Sequence, residues 1–215
     1  RFLNFENVLI TSTSETYGSA QYIPIDEKHP AVGQSPYSAS KIAADQIATS
    51  YYRSFNLPVK IVRPFNTYGP RQSARAIIPT VITQILSGIT EIKLGNLDPT
   101  RDLTFVKDTA LGFIEISKLD GINGESINIG MNDEISIRKL VQLIAEIMEV
   151  EIKIIRDEVR IRSDNSEVQR LVCDNSRIIA SSNWRPTHSL KEGLLKTIEW
   201  IRENHKLYKS TFYNV

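Results

Sequence analysis

The feature that most constrains the fold is the alternation of short apolar runs with stretches of helical length. Residues 7–12 (NVLITS) and 59–63 (VKIVR) have the length and the β-branched composition of strands that are buried on both faces. Between them the sequence predicts a helix over residues 37–56, which starts just after Pro36. A strand, helix and strand in succession favour parallel pairing. The sequence therefore predicts an α/β fold with a mainly parallel sheet.

The second half of the chain continues the same alternation. Ser136 is a plausible N-cap, and Ser189 with Glu192 forms a capping box at the start of a last helix. The predicted loops cover residues 13–36 and 64–75. Further strands are predicted at 92–94, 126–129 and 152–155, and further helices at 77–87, at 108–119, after Ser136 and after Ser189.

The amino-acid composition limits the kinds of binding partner and metal site that can be expected. The chain has 26 basic and 25 acidic residues and a net charge of +1, which gives no reason to expect nucleic acid or a membrane surface as partner. One cysteine, Cys173, excludes an internal disulfide and a cysteine-rich metal site, and it fits a cytoplasmic location. His29, His188 and His205 lack metal-ligand spacing, so we expect them at the surface and predict no metal.

Tyr37 and Lys41 are the first candidates for chemistry. Four residues apart on a helix, they share one face, and an ammonium near a phenol stabilises the phenolate. Such a tyrosine can take the proton of a sugar hydroxyl while hydride leaves the same carbon. An isolated match of this kind more often marks a helix with a half-buried tyrosine and a solvated lysine.

Thr13, Ser14 and Glu15 directly follow the first predicted strand. Ligands of open α/β sheets sit beyond the carboxyl ends of the strands, so a hydroxyl and a carboxylate at this place point to a site. Taken alone, the three residues are also compatible with a polar turn. Their combination with a Tyr-x-x-x-Lys segment about twenty residues later is far more specific.

The sequence resembles the extended short-chain dehydrogenases/reductases that act on nucleotide sugars, the NAD-dependent epimerase/dehydratase family. The resemblance extends over essentially the whole chain. It implies the C-terminal part of a Rossmann-like parallel sheet domain plus a smaller α/β substrate-binding domain, with residues 1–70 in the first and 71–215 mainly in the second, later elements rejoining the sheet. The matching segments are 12–18 (STSETYG), 36–41 (PYSASK), 63–71 (RPFNTYGPR), 94–98 (LGNLD) with Arg101 and Asp102, and 128–130 (NIG).

The resemblance also implies partners and residue roles. The cofactor would be NAD or NADP, the substrate a nucleotide-diphosphate sugar, and the full-length protein a homodimer that pairs through the helix of residues 37–56. The implied catalytic residues are Thr13, Ser14, Glu15, Tyr37 and Lys41. The implied cofactor-binding residues are Ser12, Tyr37, Lys41 and Arg63. The implied substrate-binding residues are Asn66, Gly95, Asn96, Arg101, Asn128, Arg162 and Glu167.

Within this family the sequence is most similar to nucleotide-sugar 4,6-dehydratases of the GDP-mannose and legionaminic acid pathway types. The implied reaction oxidises C4, eliminates water across C5 and C6, and returns hydride to C6. Glu15 would remove the C5 proton. Related dehydratases often carry Asp where this chain has Ser14, so delivery of a proton to the leaving hydroxyl would fall partly to Glu15 or Tyr37.

Three alternatives stay open at this stage. UDP-glucuronate decarboxylases share the Thr-Ser-Glu pattern, and a 4-epimerase would use Tyr37 but leave Glu15 without a role. The chain also carries no G-x-G-x-x-G turn for a cofactor pyrophosphate. We expect roughly a hundred residues upstream, at about thirty per βαβ unit, and weak or no NAD binding by the isolated chain. A non-catalytic fragment or partner-binding module is the third alternative.

Overall fold

The computed structural model describes residues 5–157 and 168–208. Within these ranges it contains ten strands, six α-helices and two 3-10 turns, at Ser14–Tyr17 and His205–Leu207. The strands are β1 (Val8–Thr11), β2 (Val59–Pro64), β3 (Asn66–Tyr68), β4 (Glu91–Leu94), β5 (Thr100–Arg101), β6 (Leu103–Phe105), β7 (Ser126–Ile129), β8 (Ile135–Ser136), β9 (Lys153–Arg156) and β10 (Arg170–Leu171). The helices are α1 (Pro36–Phe55), α2 (Ile77–Leu86), α3 (Val106–Lys118), α4 (Ile137–Ile147), α5 (Ser176–Ser181) and α6 (Leu190–Glu203).

The central sheet has the order β1-β2-β7, and both of its pairings are parallel. Val8 lies opposite Val59, and Ile61 lies opposite Ser126. Because all three strands run the same way, their carboxyl ends meet at one edge. The predicted α/β class with a parallel sheet is confirmed.

Helices cover both faces of this sheet because successive strand side chains point to opposite sides. Ile61 packs with Ala48 of α1 on one face. Its neighbour Val62 packs with Ile116 of α3 on the other, where Trp184 is also buried. Each fully buried aliphatic side chain of this kind stabilises the fold by about 1.5–3 kcal/mol.

The remaining strands form three small sheets, β10-β5-β8, β3-β6 and β4-β9. A second core lies among α2, α4 and α6, where residues such as Val81, Ile144 and Ile198 are buried together. Strand β7 comes from the second half of the chain but pairs with β2. The proposed division into two domains near residue 70 stays a prediction.

Local capping explains where several helices begin. Ser35 and Ser38 form a reciprocal capping box ahead of α1, Pro36 occupies its first turn, and Asn56 ends it in the left-handed conformation. Ser136 caps α4, and Ser189 with Glu192 caps α6, as the sequence predicts.

Several features differ from the sequence-based expectations, among them the short strands β5, β6, β8 and β10, which were not predicted. The segment 64–75 contains strand β3, which exists because it pairs with the distant β6. Helix α5 has only six residues and was not predicted. His29 is buried rather than at the surface, because its ring packs edge-on against Tyr17 and near Tyr22. In the part of the chain that the structure describes, no helix has the length and hydropathy of a membrane span.

Candidate active site at the carboxyl edge of the central sheet

The chain turns sharply at the end of β1, directly beside β2. The Ser12 amide donates to the Val62 carbonyl at 2.8 Å, and the 3-10 turn Ser14–Tyr17 follows at once. The segment 12–17 therefore lies beyond the carboxyl edge of the parallel sheet, where α/β proteins bind their ligands.

Thr13 organises this turn. Its Oγ1 accepts a hydrogen bond from the Glu15 amide at 3.2 Å, so Thr13 acts as the N-cap. A hydroxyl that accepts in this way keeps its own proton for donation to another oxygen. Ser14 is buried, whereas Glu15 is partly exposed. Among the described residues, no cation forms an ion pair with the Glu15 carboxylate, so the carboxylate is available as a base.

Helix α1 brings Tyr37 and Lys41 to the same edge. The Lys41 Nζ donates to the carbonyl of Thr11, the last residue of β1, at 3.0 Å, and it lies 6.0 Å from the centre of the Tyr37 ring. The Tyr37 side chain is 50% exposed. Helix α1 also packs against the 3-10 turn. Thr13, Glu15, Tyr37 and Lys41 thus cluster around the end of β1.

Two buried polar atoms at this edge lack a hydrogen-bond partner among the described residues. They are Ser12 Oγ, just past β1, and Asn66 Oδ1, just past β2. Buried polar atoms in proteins are almost always paired, so two unpaired atoms beyond the carboxyl ends of neighbouring strands indicate a place for a ligand. With Lys41 they fit the nicotinamide end of a dinucleotide and the polar end of a substrate.

Arg63 and Asn128, which stay predictions as cofactor- and substrate-binding residues, form hydrogen bonds inside the protein. The Arg63 Nε and Nη2 donate to Asp45 Oδ2 at 3.1 and 2.9 Å, and its Nη1 donates to the Tyr17 hydroxyl at 3.1 Å. Tyr17 in turn donates to Asn128 Oδ1 at 2.7 Å, and Asn128 Nδ2 donates to the Ile25 carbonyl at 3.1 Å. Burial raises the pKa of Tyr17 to about 12, which keeps its proton in place. These contacts favour an internal role for both residues.

Arg101 and Asp102 are adjacent in sequence but have different surroundings. Arg101 is partly exposed, and its Nη1 donates to the carbonyls of Thr100 and Val168, each at 2.8 Å. Asp102 is fully buried in a cradle of amides, those of Met131, Asn132 and Cys173. Burial raises the pKa of Asp102 to about 6, and the amide donors oppose that rise.

The remaining predicted substrate residues lie further along the chain. Gly95 and Asn96 directly follow β4, whose partner is β9, and Asn96 Oδ1 accepts from the Asp98 amide at 3.2 Å in a local turn. Arg162 and Glu167 fall outside the described residues. In the described ranges, no three potential metal ligands gather into one group.

Sequence reasoning missed Tyr17 and Asp45 as parts of this region. Asp45 lies four residues after Lys41, and a charged residue that continues the Tyr37–Lys41 face was the available signal. Tyr17 belongs to the segment 12–18 on which the resemblance rested, but no role was assigned to it. A cavity of about 250 Å³ borders Asp45 and Arg63, yet none of Thr13, Glu15, Tyr37 and Lys41 lines it.

Three features define the class of this protein: a parallel sheet, a turn with a hydroxyl and a carboxylate after one strand, and a Tyr-x-x-x-Lys helix bound to that strand. Together they are typical of the extended short-chain dehydrogenases/reductases. The sequence model described as GDP-mannose 4,6 dehydratase matches residues 3–197. The chain therefore belongs to the GDP-mannose 4,6-dehydratase family, and the resemblance inferred from its motifs is confirmed.

Curated relatives and solved structures agree with this assignment. The chain is 33% identical to dTDP-glucose 4,6-dehydratase of Streptomyces antibioticus over 90% of this chain and 56% of that protein. It is 34% identical to human dTDP-D-glucose 4,6-dehydratase over 95% of this chain and 59% of that protein. The chain thus spans less than two thirds of the length of these relatives.

Two solved structures with this fold belong to proteins that are named for different activities. The dTDP-glucose 4,6-dehydratase of Bacillus anthracis in complex with NAD is 28% identical, with a TM-score of 0.82 over 93% of this chain and 63% of that one. The UDP-glucuronic acid 4-epimerase of Bacillus cereus in complex with UDP-glucuronic acid and NAD is 25% identical, with a TM-score of 0.84 over 96% of this chain and 64% of that one. Dehydratases and epimerases therefore share this architecture.

Proposed function

We propose that this chain is the sugar-handling part of an NAD(P)-dependent nucleotide-sugar 4,6-dehydratase. The observation that carries the proposal is the position of Glu15. Its carboxylate follows the end of β1, is partly exposed, and has no ion-pair partner among the described residues. An epimerase has no use for a base at C5, whereas a dehydratase requires one.

Tyr37 and Thr13 act on the C4 oxygen in this proposal. The Tyr37 hydroxyl takes the proton from the C4 hydroxyl, and Thr13 donates a hydrogen bond to the same oxygen. The Lys41 bond to the Thr11 carbonyl fixes the position of the ammonium beside Tyr37. Bound NAD(P) supplies the acceptor for the hydride from C4 and the donor of hydride to C6.

Glu15 acts one carbon further along the sugar. A ketone at C4 acidifies the C5 proton, because the resulting carbanion is an enolate, and Glu15 takes that proton as the C6 hydroxyl leaves as water. Ser14 is buried and a hydroxyl is a poor acid, so the protons come from Glu15 and Tyr37, each of which has taken up one. One of the two delivers a proton to the leaving C6 hydroxyl, and the other returns a proton to C5 when hydride is added at C6.

Binding of the diphosphate is assigned to Asn66 and Arg101. The unpaired Asn66 Oδ1 and the partly exposed Arg101 guanidinium support this assignment, since arginine pairs with phosphate through a planar fork. Gly95 and Asn96 are proposed to lie near the base and ribose, and Arg162 and Glu167 remain predictions on sequence grounds. Arg63 and Asn128 are proposed to support the site from inside the protein.

The first test uses a chimera, because the chain spans 56% of its Streptomyces relative and holds no glycine-rich turn. The preceding part of that relative is fused to this chain, and dTDP-glucose, GDP-mannose, UDP-glucuronic acid and UDP-N-acetylglucosamine are offered with NAD or NADP. NMR should show a 4-keto-6-deoxy product from at least one sugar. A 4-epimer without loss of water, or a pentose product with release of CO2, would replace the dehydratase proposal by one of its alternatives.

Glu15→Gln in the chimera tests the role of the base. We expect dehydration to fall by about 10²–10⁴-fold while reduced nicotinamide still accumulates, since only the C5 step loses its base. Glu6→Gln is the matched control, because Glu6 is an exposed carboxylate before the other end of β1. Full activity of Glu15→Gln would contradict the assignment.

The isolated chain is proposed to bind NAD weakly and to show no turnover, because the cradle for the pyrophosphate is not among its residues. Calorimetry of the 215-residue chain with NAD measures this directly. Tight binding would contradict it.

We also propose a homodimer and a cytoplasmic location. Ile47, Tyr51 and Phe55 recur every four residues on α1 and are all more than half exposed, which supplies an apolar stripe for a second copy. Sedimentation of the chimera and of its Tyr51→Glu variant tests the dimer. The cytoplasmic location rests on the single buried cysteine.

A further inference from the structure

We propose that Arg63 is a positioning residue that holds the Glu15 turn and the Tyr37–Lys41 helix in one fixed arrangement. The inference rests on the proposed function for its catalytic meaning, because Glu15 and Tyr37 must act on neighbouring carbons of one sugar. The structural part of the inference does not depend on the reaction, because one partly buried guanidinium joins two elements that carry different candidate groups.

The first support is a stripe of three residues on α1. Tyr37, Lys41 and Asp45 are spaced by four, so they share one face of the helix. Lys41 is bound to the end of β1 through the Thr11 carbonyl, and Asp45 is bound to β2 through Arg63. Two polar anchors to neighbouring strands fix both the rotation and the axial position of the helix.

The remaining nitrogen of Arg63 contacts the turn that carries Glu15. Its Nη1 donates to the Tyr17 hydroxyl at 3.1 Å, and its guanidinium carbon lies 5.0 Å from the centre of the Tyr17 ring. Tyr17 is the last residue of the 3-10 turn that carries Glu15. Arg63 therefore contacts the helix of Tyr37 and the turn of Glu15 at the same time. A lysine could not do so, because its ammonium is a single point without a planar fork.

The hydrogen bonds of Arg63, Tyr17 and Asn128 form a network in which every donor has a defined direction. Arg63 donates to Tyr17, Tyr17 donates to Asn128 Oδ1, and Asn128 donates to the Ile25 carbonyl. Tyr17 and Asn128 are fully buried, and hydrogen bonds in such surroundings are strengthened by the low local dielectric. Because this network has one allowed orientation, it fixes the position of the Glu15 turn relative to β2 and β7.

The test measures hydrogen–deuterium exchange in the 215-residue chain, without cofactor or substrate. Tyr17→Phe removes one hydroxyl and keeps the ring. The substitution removes the two hydrogen bonds of the Tyr17 hydroxyl, to Arg63 and to Asn128. We expect amides of residues 14–18 to exchange about five- to hundredfold faster. Amides of residues 36–42 should change little, because Asp45 and Lys41 keep their partners, and α4 and α6 should not change. Tyr22→Phe is the matched control, because Tyr22 is exposed and its hydroxyl bonds to the partly exposed Asp26.

Arg63→Lys provides the second variant and should accelerate exchange in both segments together. Arg177→Lys is its control, because Arg177 also bonds a carboxylate and a carbonyl, those of Glu125 and Ser126, but touches neither segment. For Arg63→Lys, faster exchange in the Glu15 turn alone, or equal acceleration throughout the chain, would overturn the inference.

A kinetic readout separates this inference from the proposed function. In the chimera, Tyr17→Phe should lower kcat at an unchanged KM, because the reacting groups lose alignment while the substrate contacts remain. If the chimera makes no product at all, the proposed function fails and the exchange result still decides the role of Arg63. If the chimera is active but exchange in 14–18 and 36–42 does not respond to Arg63→Lys, the positioning role alone is refuted.

Discussion

Two buried carboxylates, Asp45 and Asp102, are stabilised in opposite ways. Asp45 is 2% exposed and is neutralised by a cation, the guanidinium of Arg63, which reaches one of its oxygens through two nitrogens. Asp102 is 0% exposed and is held by backbone amides of Met131, Asn132 and Cys173. Each carboxylate joins segments that are distant in sequence.

The difference teaches how a buried charge can be used. A side-chain ion pair cancels the charge, but it depends on a partner that a single substitution can remove. An amide cradle supplies only partial charges, so burial still raises the pKa of Asp102 to about 6. We therefore expect the region of Asp45 to be sensitive to mutation and the region of Asp102 to be sensitive to pH.

The largest effect should come from Arg63→Met. Without the guanidinium, Asp45 is left as an uncompensated buried charge, which costs about 3–5 kcal/mol of unfolding free energy. Urea denaturation of the isolated chain measures it. Asp45→Asn combined with Arg63→Met should recover a large part of the loss, because no charge remains to be buried. A loss below about 1 kcal/mol for Arg63→Met would show that Asp45 is not dependent on its partner.

Asp102→Asn should have a smaller effect. The two oxygens of Asp102 accept three amide hydrogen bonds, and an asparagine presents a donor in place of one oxygen. One amide loses its acceptor, at a cost of about 1–3 kcal/mol near neutral pH. Urea denaturation at pH 7.5 checks this value. A stability equal to that of the unmutated chain would mean that the cradle is not essential.

The pH dependence gives the sharper contrast between the two regions. The folded-state pKa of Asp102 is raised from 3.8 to about 6, so the native state binds this proton more readily than the unfolded chain. The stabilising contribution of protonation is present in full below pH 3.8 and is lost as pH rises through about 6. The stability of the unmutated chain relative to Asp102→Asn should therefore fall between pH 4.5 and 6.5. If the stability of the unmutated chain relative to Asp102→Asn rises over this pH interval, the expected direction of the pH dependence is wrong.

Local sequence signals predicted much of the framework. The strand at β1, helix α1 and the capping residues Ser136 and Ser189 are set by apolar runs and by hydrogen bonds within a few residues, which the sequence displays directly. The position of Thr13 and Glu15 was equally accessible, because ligands of parallel sheets lie beyond the carboxyl ends of the strands. Their grouping with Tyr37 and Lys41 was implied by the family resemblance.

Long-range partners were not accessible from the sequence. Nothing in the sequence indicated the surroundings of Asp102, whose carboxylate is satisfied by amides 29 to 71 residues away. Arg63 was predicted to bind the cofactor, and the sequence did not indicate its partners Tyr17 and Asp45, which lie in two other elements. Strand β3 has three residues and exists only through its pairing with β6. Such features depend on tertiary contacts, which override local preference.

The smallest effect should come from an exposed pair of the same chemistry. Arg170 pairs with Glu134, and this contact lowers the pKa of Glu134. The Arg170 side chain is 49% exposed, compared with 12% for Arg63, so water and salt screen the attraction. Arg170→Gln should lower the free energy of unfolding far less than Arg63→Met, and its cost should shrink further in concentrated NaCl, whereas that of Arg63→Met should not. Equal costs for the two variants would show that burial is not what makes the Arg63 pair important, and the comparison between the two regions would then rest on the amide cradle alone.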